Sequence, residues 1–414
     1  MAQVFPFQAY RYTAEAGPLE TLVTQPYDKI SAEMRRKYLE ANPHNLVRVI
    51  LGESTPADHD TDNVYTRAAD YLRDWIAGGI LARDPEPSLF AYFQEFAVPD
   101  SGETAIRKGF IGLGAVEDYA QGVVHRHEQT LTGPKKDRLE LLRKTRAHFG
   151  QIFMLYPDPA GEIDAILDET ALAPPDAQVA DDYGARHTVW RISDLDRIAR
   201  IQALMADKKL LIADGHHRYE TAVAFRDENP GSDAARRVMM TFVNMHSAGL
   251  KILAGHRLVS NLPSFDKDAF LSAAAAAFDI RPVASVAALG EMWGRLPEDE
   301  VLIGAQIGQD LYGLKAKDAA GRLNVTVLHE SAIRDALGIS DDAVRDQRYL
   351  GYVRGAESAA AEAREGRAQV AFLLKPVSVK QVADISFGGG VMPQKSTDFY
   401  PKLLSGLAIY RLDG

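Results

Sequence analysis

The sequence contains no cysteine among its 414 residues. Without a thiol the chain can form no disulfide, thiolate nucleophile, cysteine-held iron–sulfur cluster or zinc ribbon. Long apolar runs are also lacking, since no stretch approaches the roughly eighteen uninterrupted apolar residues of a membrane span. The amino terminus lacks the basic segment followed by an apolar core that marks a secretory signal. These absences predict a cytoplasmic protein without a membrane segment.

The chain also lacks an excess of positive charge and the common glycine-rich nucleotide motifs. Its formal net charge is -10, which argues against nucleic acid as a partner because DNA-binding surfaces neutralise phosphates with Lys and Arg. A local basic pocket for one small anion remains compatible with that charge. No G-x-x-x-x-G-K-[ST] motif occurs, and Gly109, Gly112 and Gly114 precede no predicted helix. A P-loop or dinucleotide fingerprint is therefore not expected.

Length and the order of predicted elements indicate the architecture. Single cores rarely exceed about 250 to 300 residues, so 414 residues of which 46% are hydrophobic predict two lobes. Strands and helices alternate in both halves, with a hairpin at 89–98 and 105–119 and a further strand at 45–51. We expect an α/β protein with mixed α+β sheets. Residues 1–250 would form a catalytic lobe, and residues 251–414 a second α/β lobe whose carboxyl-terminal loop returns to the site.

The stretch KKLLIADGHHRYETAVAFR at 208–226 carries the densest group of chemical side chains. A short apolar run, long enough for a buried strand, ends at Asp214 and Gly215, and an amphipathic helix pattern follows. At such a junction the first helical N–H groups are unpaired and the dipole is positive, which suits a phosphate or carboxylate. Arg218 could grip phosphate oxygens at two points, His216 and His217 could relay protons, and Asp214 could hold a cation or orient a histidine. A simple Asp-Gly turn with surface histidines is the alternative.

Two further polar stretches hold comparable groups. HRHEQTLTGPKKDRLELL at 125–142 follows a predicted strand and enters a helix at Pro134. Its two histidines, two residues apart, fit either metal ligands or exposed loop residues. GGGVMPQKSTDFYPK at 388–402 is either a hinge loop or a segment that brings a cation and two hydroxyls to a ligand.

All three stretches resemble the uncharacterised domain-of-unknown-function family 1015, in the segments ADGHHRYETA, HEQTLTGPKKDRLELL and MPQKSTDFYPKLLSGL. The Asp-Gly-His-His-Arg turn also resembles the phosphate-binding turn of the ParB and sulfiredoxin superfamily, including its free serine kinases. The absence of cysteine excludes sulfiredoxin chemistry. The resemblance implies a nucleotide- or phosphate-handling fold in which a ParB-like turn at a strand-to-helix junction holds the phosphoryl end of the site.

The resemblance also implies roles for residues in the three stretches, which we expect to converge on one pocket. Glu128 is the general-base candidate of its loop, and the Lys395–Thr397 segment belongs to the site. The predicted catalytic residues are Glu128, Asp214, His216 and His217. The predicted phosphate-binding residues are Arg218, Lys135, Arg138, Lys395, Ser396 and Thr397. The predicted metal ligands are Asp214 and Glu128.

Phosphoryl transfer to a small hydroxylated metabolite is the function expected from this set. Serine is a candidate acceptor because the free serine kinases carry a similar turn, and the donor would be ATP, ADP or pyrophosphate with Mg²⁺. A non-catalytic nucleotide- or phosphate-binding regulatory module of ParB-like type is one alternative, although Glu128 and Asp214 would repel an anion unless a cation lay between. A metal-dependent hydrolase is the other, with zinc on His125, His127, His216 and His217.

Overall fold

The computed structural model describes residues 1–128, 133–319, 321–393 and 395–413, and only the backbone of residues 133 and 134. Thr130, part of the stretch that resembles the family, lies outside these ranges together with the rest of 129–132, and so do residues 320, 394 and 414. Within the described ranges the fold is mixed α/β and is built on two larger sheets. The predicted fold class is therefore confirmed.

Nine strands of the described residues form the first sheet. They are β1 Val4–Phe5, β2 Leu89–Ala97, β3 Thr104–Ala115, β4 Val124–His125, β5 Ile152–Tyr156, β6 Ala177–Ala180, β7 Arg186–Ile192, β8 Leu210–Asp214 and β9 Arg237–Asn244. Their order is β4-β8-β5-β9-β3-β2-β7-β6, with β1 paired to β3. The pairs β8·β4 and β9·β5 are parallel, whereas β2 and β3 form the predicted antiparallel hairpin. The sheet is mixed, as expected.

Both faces of the first sheet are buried at its centre, and strand β5 is apolar and buried at every position. Ile152, Met154 and Tyr156 point to one face of β5, and Phe153 and Leu155 point to the other, as the two-residue period of a strand requires. Helices cover the first face, and much of the second is covered by carboxyl-terminal residues that follow the second sheet in the chain. The last residues of the protein are thus part of the first sheet's core.

The second sheet contains six strands in the part of the chain that is described. They are β10 Gly255–Val259, β11 Phe278–Pro282, β12 Leu302–Ile307, β13 Asp310–Ala316, β14 Leu350–Arg354 and β15 Val370–Leu373. Their order is β11-β13-β12-β15-β10-β14, and the recorded pairs are antiparallel. The strand β14 lies at an edge of this sheet. The two sheets draw on residues on either side of position 250, while the division into lobes 1–250 and 251–414 stays a prediction.

The α-helices of the described ranges are α1 Ala32–Ala41, α2 Val47–Ile50, α3 Val64–Ala77, α4 Gly133–Thr145, α5 Glu162–Thr170, α6 Leu195–Met205, α7 His216–Glu228, α8 Lys267–Ala274, α9 Val286–Arg295, α10 Asn324–Val327, α11 Asp341–Arg345, α12 Ala356–Arg364 and α13 Val379–Phe387. A π-helical segment, Leu328–Ala336, continues α10. None of the described helices combines the length and apolar character that crossing a bilayer requires.

A buried arginine ties the carboxyl-terminal segment to the first sheet. Residues Asp398–Tyr400 pair with Lys251–Leu253, and the chain then passes over the sheet. The Arg107 guanidinium donates to the carbonyl of Tyr400 at 3.1 Å and to that of Pro401 at 2.5 Å. The same guanidinium also donates to the side-chain oxygen of Gln94. This attachment places residues 395–402 beside the end of β8.

The prediction of a strand at 45–51 is wrong, because Val47–Ile50 forms the short helix α2. The Asn45 side-chain oxygen accepts the Val47 N–H at 2.9 Å, which stabilises a helical start. Val49 and Ile50 pack into a cluster with Trp75. Tertiary burial therefore outweighs the strand propensity of the β-branched residues. Arg48, within this helix, donates to the Leu39 carbonyl at 2.9 Å.

Candidate functional site

A cavity of about 690 Å³ is lined by residues of both sheets and of the loops between them. The end of β8 and the start of α7 contribute residues 213–218, and the edge strand β14 contributes residues 351–354. The carboxyl-terminal loop adds Lys395, Thr397, Asp398 and Lys402, while Glu128 and the amino-terminal segment 27–29 complete the wall. Cavities of this size hold small-molecule ligands and cofactors.

The strand-to-helix junction at Gly215 has the predicted form. Strand β8 ends at Asp214, Gly215 has φ 97°, and α7 starts at His216. As at the start of any helix, the first N–H groups of α7 have no acceptor within the helix, and Gly215 has no side chain that could cap them. The residues that carry these groups line the cavity. Together with the helix dipole they form a ready site for an anion.

Arg218 already forms hydrogen bonds within the folded protein. Its guanidinium donates to the Gln151 carbonyl and, at 2.5 Å, to the carboxylate of Asp214. A Cβ atom on Gly215 would lie 3.0 Å from Arg218 Nε, so the arginine covers the glycine closely. The predicted two-point grip on phosphate would therefore compete with these two contacts. The role of Arg218 in phosphate binding stays a prediction.

A chain of alternating charges runs along one side of the cavity. Lys402 Nζ lies 3.1 Å from Asp214 Oδ1 and 3.0 Å from Asp398 Oδ1, and Arg354 Nη2 lies 2.6 Å from Asp398 Oδ2. Burial opposes ionisation of Asp214, but Lys402, Arg218 and Lys29 outweigh it and hold the pKa of Asp214 below its ordinary value. Burial likewise opposes protonation of Lys402, yet Asp214 and Asp398 raise its pKa. Asp214 and Lys402 are therefore both ionised at neutral pH.

Glu128 has the opposite electrostatic character. Burial raises its pKa to about 7 and Asp214 adds to the rise, even though Lys395 and Lys402 act to lower it. The carboxyl retains access to the cavity, with 22% of the side chain exposed. A carboxyl that exchanges its proton near neutral pH suits a general base.

His127 and His216 lie against each other beside Glu128, with ring centroids 4.7 Å apart. His127 Nδ1 is 2.7 Å from the Ile212 carbonyl oxygen, and its Nε2 is 2.8 Å from Thr397 Oγ1. His216 Nε2 accepts the His127 backbone N–H at 3.4 Å. Burial lowers the pKa of His127 to about 4, and burial together with His127 lowers that of His216 as well. Both rings are therefore neutral at neutral pH.

The structure brings most of the predicted site residues together. Those that line the cavity are Glu128, Asp214, His216, His217, Arg218, Lys395 and Thr397. Ser396 lies in the same loop but is buried, and its hydroxyl donates to the Pro393 carbonyl at 2.5 Å. The assignment of catalytic, phosphate-binding and metal-binding roles within this set stays a prediction.

Two predicted cations are not among the residues that line this cavity. Arg138 lines a neighbouring cavity of about 70 Å³, where its guanidinium stacks 4.2 Å from the Tyr27 ring centroid and donates to the Ile50 carbonyl at 2.6 Å. Lys135, in the first turn of α4, is not among the residues that line either cavity. Arg138 therefore supports the wall of the larger cavity through Tyr27, a residue common to both.

Sequence reasoning missed several residues of the cavity: Tyr27, Asp28, Lys29, Gln347, Tyr352, Arg354 and Asp398. Asp398 lies inside a stretch already singled out by its polar groups, so its charge was a usable signal. The segment PYDKI at 26–30 carried only a turn signal. Strand β14 gave none, because one arginine in a short strand does not distinguish a pocket wall from a solvent-facing edge.

The described side chains do not provide a ready cage for a metal ion. No group of three or more His, Asp or Glu residues in the described ranges is placed to hold one. Both oxygens of Asp214 already accept hydrogen bonds, from Arg218 and Lys402. His125 contacts the Gly122 carbonyl at 3.1 Å instead of joining the other histidines. The described side chains alone therefore form no complete metal site, and the binding of Mg²⁺ by Asp214 and Glu128 stays a prediction.

Replacing Gly215 by Ala should cost more stability than an otherwise similar change at Gly79. Both glycines have positive φ, 97° and 74°, so alanine is strained by about 1–2 kcal/mol at either position. No described atom lies within 4 Å of a Cβ on Gly79, whereas a Cβ on Gly215 would lie 3.0 Å from Arg218 Nε and 3.1 Å from Nη2, so the guanidinium must shift and its contact with Asp214 is strained. The added cost is at most that of losing a hydrogen bond between charged groups, about 1.5–3 kcal/mol. Urea unfolding of Gly215→Ala and Gly79→Ala measures the difference, and equal losses would show that the Arg218 contact contributes nothing.

Comparison with known proteins gives a family and several distant structures. The family described as "Protein of unknown function (DUF1015)" matches residues 4–337. No curated protein gave a significant match.

Among solved structures, a conserved hypothetical protein from Pyrococcus furiosus is 13% identical with a TM-score of 0.36, over 70% of this chain and 93% of the other. A free serine kinase in complex with AMP is 13% identical with a TM-score of 0.37, over 69% and 89% of the two chains. SbnI with a C-terminal truncation, from Staphylococcus aureus, is 11% identical with a TM-score of 0.35, over 71% and 85%. Likeness at these scores is no evidence of a shared activity.

Proposed function

We propose, for a chain that belongs to the DUF1015 family of proteins of unknown function, that the cavity is the active site of a phosphotransferase. The donor is a nucleotide or pyrophosphate, and the acceptor is the hydroxyl of a small metabolite. The observation that carries this proposal is the combination, in one cavity, of the start of helix α7 and a partly buried glutamate with a pKa of about 7. The first suits phosphate oxygens, and the second suits removal of a hydroxyl proton.

The charge balance of the cavity supports an anionic ligand. Burial lowers the pKa of Lys29, and Lys402 and Lys395 lower it further by repulsion, whereas Asp28 and Asp214 raise it. Ammonium groups that repel one another in a shared cavity are stabilised when an anion enters between them. Lys29, Lys395 and the start of α7 are therefore assigned to the phosphate groups. Lys402 is held by two carboxylates and supports the wall.

The proposed reaction is a direct transfer. Glu128 accepts the proton of the acceptor hydroxyl as the acceptor oxygen forms a bond to phosphorus and the bond to the leaving phosphate oxygen breaks. Lys29, Lys395 and the first N–H groups of α7 offset the negative charge on the phosphoryl oxygens. Mg²⁺, entering with the donor, would supply further charge neutralisation. L-Serine is the first acceptor to test, because the turn at 214–218 resembles that of free serine kinases.

Ligand-induced stabilisation tests the donor site directly. ATP, ADP or pyrophosphate at a hundred times its dissociation constant should stabilise the folded protein by about 2.7 kcal/mol. Lys29→Met should reduce this stabilisation, whereas Lys37→Met removes the same charge from an exposed position and should leave it unchanged. Thermal unfolding with and without Mg²⁺ is the measurement.

Phosphoryl transfer to L-serine, followed by ³¹P NMR, then tests turnover. If none of the three donors raises the melting temperature, the cavity is not a phosphate site and the proposal fails. Nucleotide binding without transfer to any hydroxyl acceptor would instead support the non-catalytic regulatory module.

A further inference from the structure

The fold determines which acceptor the Thr397 hydroxyl hydrogen points to. His127 lies between Thr397 and the backbone of β8, with Nδ1 2.7 Å from the Ile212 carbonyl oxygen and Nε2 2.8 Å from Thr397 Oγ1. A carbonyl oxygen can only accept a hydrogen bond, so His127 Nδ1 must carry a hydrogen.

The other nitrogen of His127 is then an acceptor. The ring is buried, with 1% of the side chain exposed, and the nearest carboxylate, Glu128 Oε1, is 4.0 Å from Nε2, beyond hydrogen-bond distance. A charged imidazolium would be desolvated there without a hydrogen-bonded counter-ion. Neutral His127 therefore presents a lone pair at Nε2, and Thr397 must donate its only hydroxyl hydrogen to it.

It follows that Thr397 can only accept from the cavity. With its proton committed to His127, the Thr397 oxygen has lone pairs and no donor to offer a ligand. A phosphate oxygen is also only an acceptor, so the two repel. On this inference Thr397 does not take the phosphate-binding role expected from the sequence. It lies beside Glu128 in the cavity, because an oxygen of each lies within 4.0 Å of His127 Nε2.

We propose that Thr397 recognises the phosphoryl acceptor and that His127 is the positioning residue that orients the Thr397 lone pairs. The inference rests on the proposed function. The hydroxyl that receives the phosphoryl group has one hydrogen, which goes to Glu128. Thr397 then needs a second donor on the same molecule, so the acceptor class is a small alcohol with an ammonium or a second hydroxyl beside the reacting hydroxyl.

Three matched probes distinguish the second donor. L-Serine carries an ammonium on the carbon next to the reacting CH₂OH group, glycerate carries a hydroxyl there, and 3-hydroxypropanoate carries only hydrogen. In the wild type, 3-hydroxypropanoate should be the poorest acceptor of the three. Whichever of serine and glycerate has the lower KM identifies the donor group that Thr397 receives.

Substitutions at Thr397 separate acceptor recognition from phosphate binding. Thr397→Val keeps the shape and removes the oxygen, so the KM for the preferred acceptor should rise roughly tenfold to a hundredfold, as for a lost hydrogen bond. The dissociation constant for ADP should stay the same, and the KM for 3-hydroxypropanoate should hardly change. Thr397→Ser keeps the hydroxyl and should recover most of the acceptor affinity that Thr397→Val loses. A Val variant that binds ADP more weakly and keeps its acceptor KM would overturn the proposal.

The hydrogen-bond direction has its own test, which does not depend on activity. In ¹⁵N-histidine NMR, His127 should show a protonated Nδ1 and an unprotonated Nε2 at neutral pH. The signal is identified by its loss in His127→Gln or, if that variant does not fold, by its shift in Thr397→Val. A proton on Nε2 would overturn the assignment of Thr397 as an acceptor. A wild type that binds ADP but transfers to none of the probes would fail the proposed function and the acceptor class, while the NMR result would still decide the direction.

Discussion

Glu128→Gln is expected to lower turnover by about two to four orders of magnitude and to leave nucleotide affinity within a few-fold of the wild type. Glutamine fills the same space, but it cannot accept the hydroxyl proton. Because Glu128 contacts the acceptor and not the phosphate groups in the proposed mechanism, ADP binding should survive. Steady-state kinetics and ADP titration measure the two quantities. Glu140→Gln, a change of the same kind at a carboxylate paired with Arg143 on the surface, is the control.

The magnesium dependence of the Glu128 variant separates two roles. If Glu128 holds a metal ion, Glu128→Gln should abolish Mg²⁺-dependent nucleotide binding and turnover together, because the loss then precedes the chemical step. If Glu128 is the base, Mg²⁺ should strengthen nucleotide binding equally in both proteins. Near-normal turnover at saturating donor and acceptor would remove Glu128 from the mechanism altogether.

The raised pKa of Glu128 adds a pH signature. Only the ionised carboxylate can take a proton, so the wild-type rate should rise through about pH 7 and level off above it. The stability of the fold changes in the opposite direction to the rate and falls as the pH rises through this range. A carboxyl whose pKa is raised by burial destabilises the fold once it ionises, so the penalty is absent below its ordinary pKa and complete above pH 7. Glu128→Gln should therefore be more stable than the wild type at pH 8 and equally stable at pH 4. Lower stability of the variant at pH 8 would show that Lys395 and Lys402 outweigh burial.

The parts of the site that sequence alone predicted are those encoded within one short segment. The change of period at Gly215 is local, so the strand-to-helix junction followed from residues 208–226 and agrees with the structure. The same applies to the 89–115 hairpin, whose alternating residues and turn are adjacent in the chain. The position of the Lys395–Thr397 loop was expected from family resemblance, and its physical cause, the Arg107 contact with two distant carbonyls, is not visible in sequence.

What sequence could not supply is the pairing of charges across the fold. Lys402 meets Asp214 over 188 positions, and nothing in either segment indicates that partnership. Arg218 looked available for phosphate because its own partners, Asp214 and the Gln151 carbonyl, become neighbours only in the folded sheet. The predicted strand at 45–51 is a helix for a related reason, since burial of residues 47–50 against Trp75 outweighs their local strand propensity. Each miss arises from tertiary contacts.

The pairing around Lys402 should be visible as stability. Lys402→Met removes the cation between Asp214 and Asp398 from a position where only 9% of the side chain is exposed. Removing one partner of a buried ion pair costs about 3–5 kcal/mol, and we expect the lower end because Arg218 still pairs with Asp214 and Arg354 with Asp398. Lys315→Met breaks a pair with Glu300 on the surface and should cost less than about 1 kcal/mol. Urea unfolding at neutral pH compares the two variants.

Acid titration and a second substitution establish the cause of that loss. Lys402 helps to lower the pKa of Asp214 and Asp398 against burial, so their ionised forms contribute stability above their ordinary pKa of about 4, and this is lost as pH falls further. In Lys402→Met the two carboxylates repel each other at neutral pH and are relieved by protonation. The stability difference from the wild type should therefore shrink on acidification, and Lys402→Met/Asp398→Asn should recover part of it at neutral pH. A difference that is independent of pH and unaffected by Asp398→Asn would indicate lost packing of the lysine stem rather than lost charge.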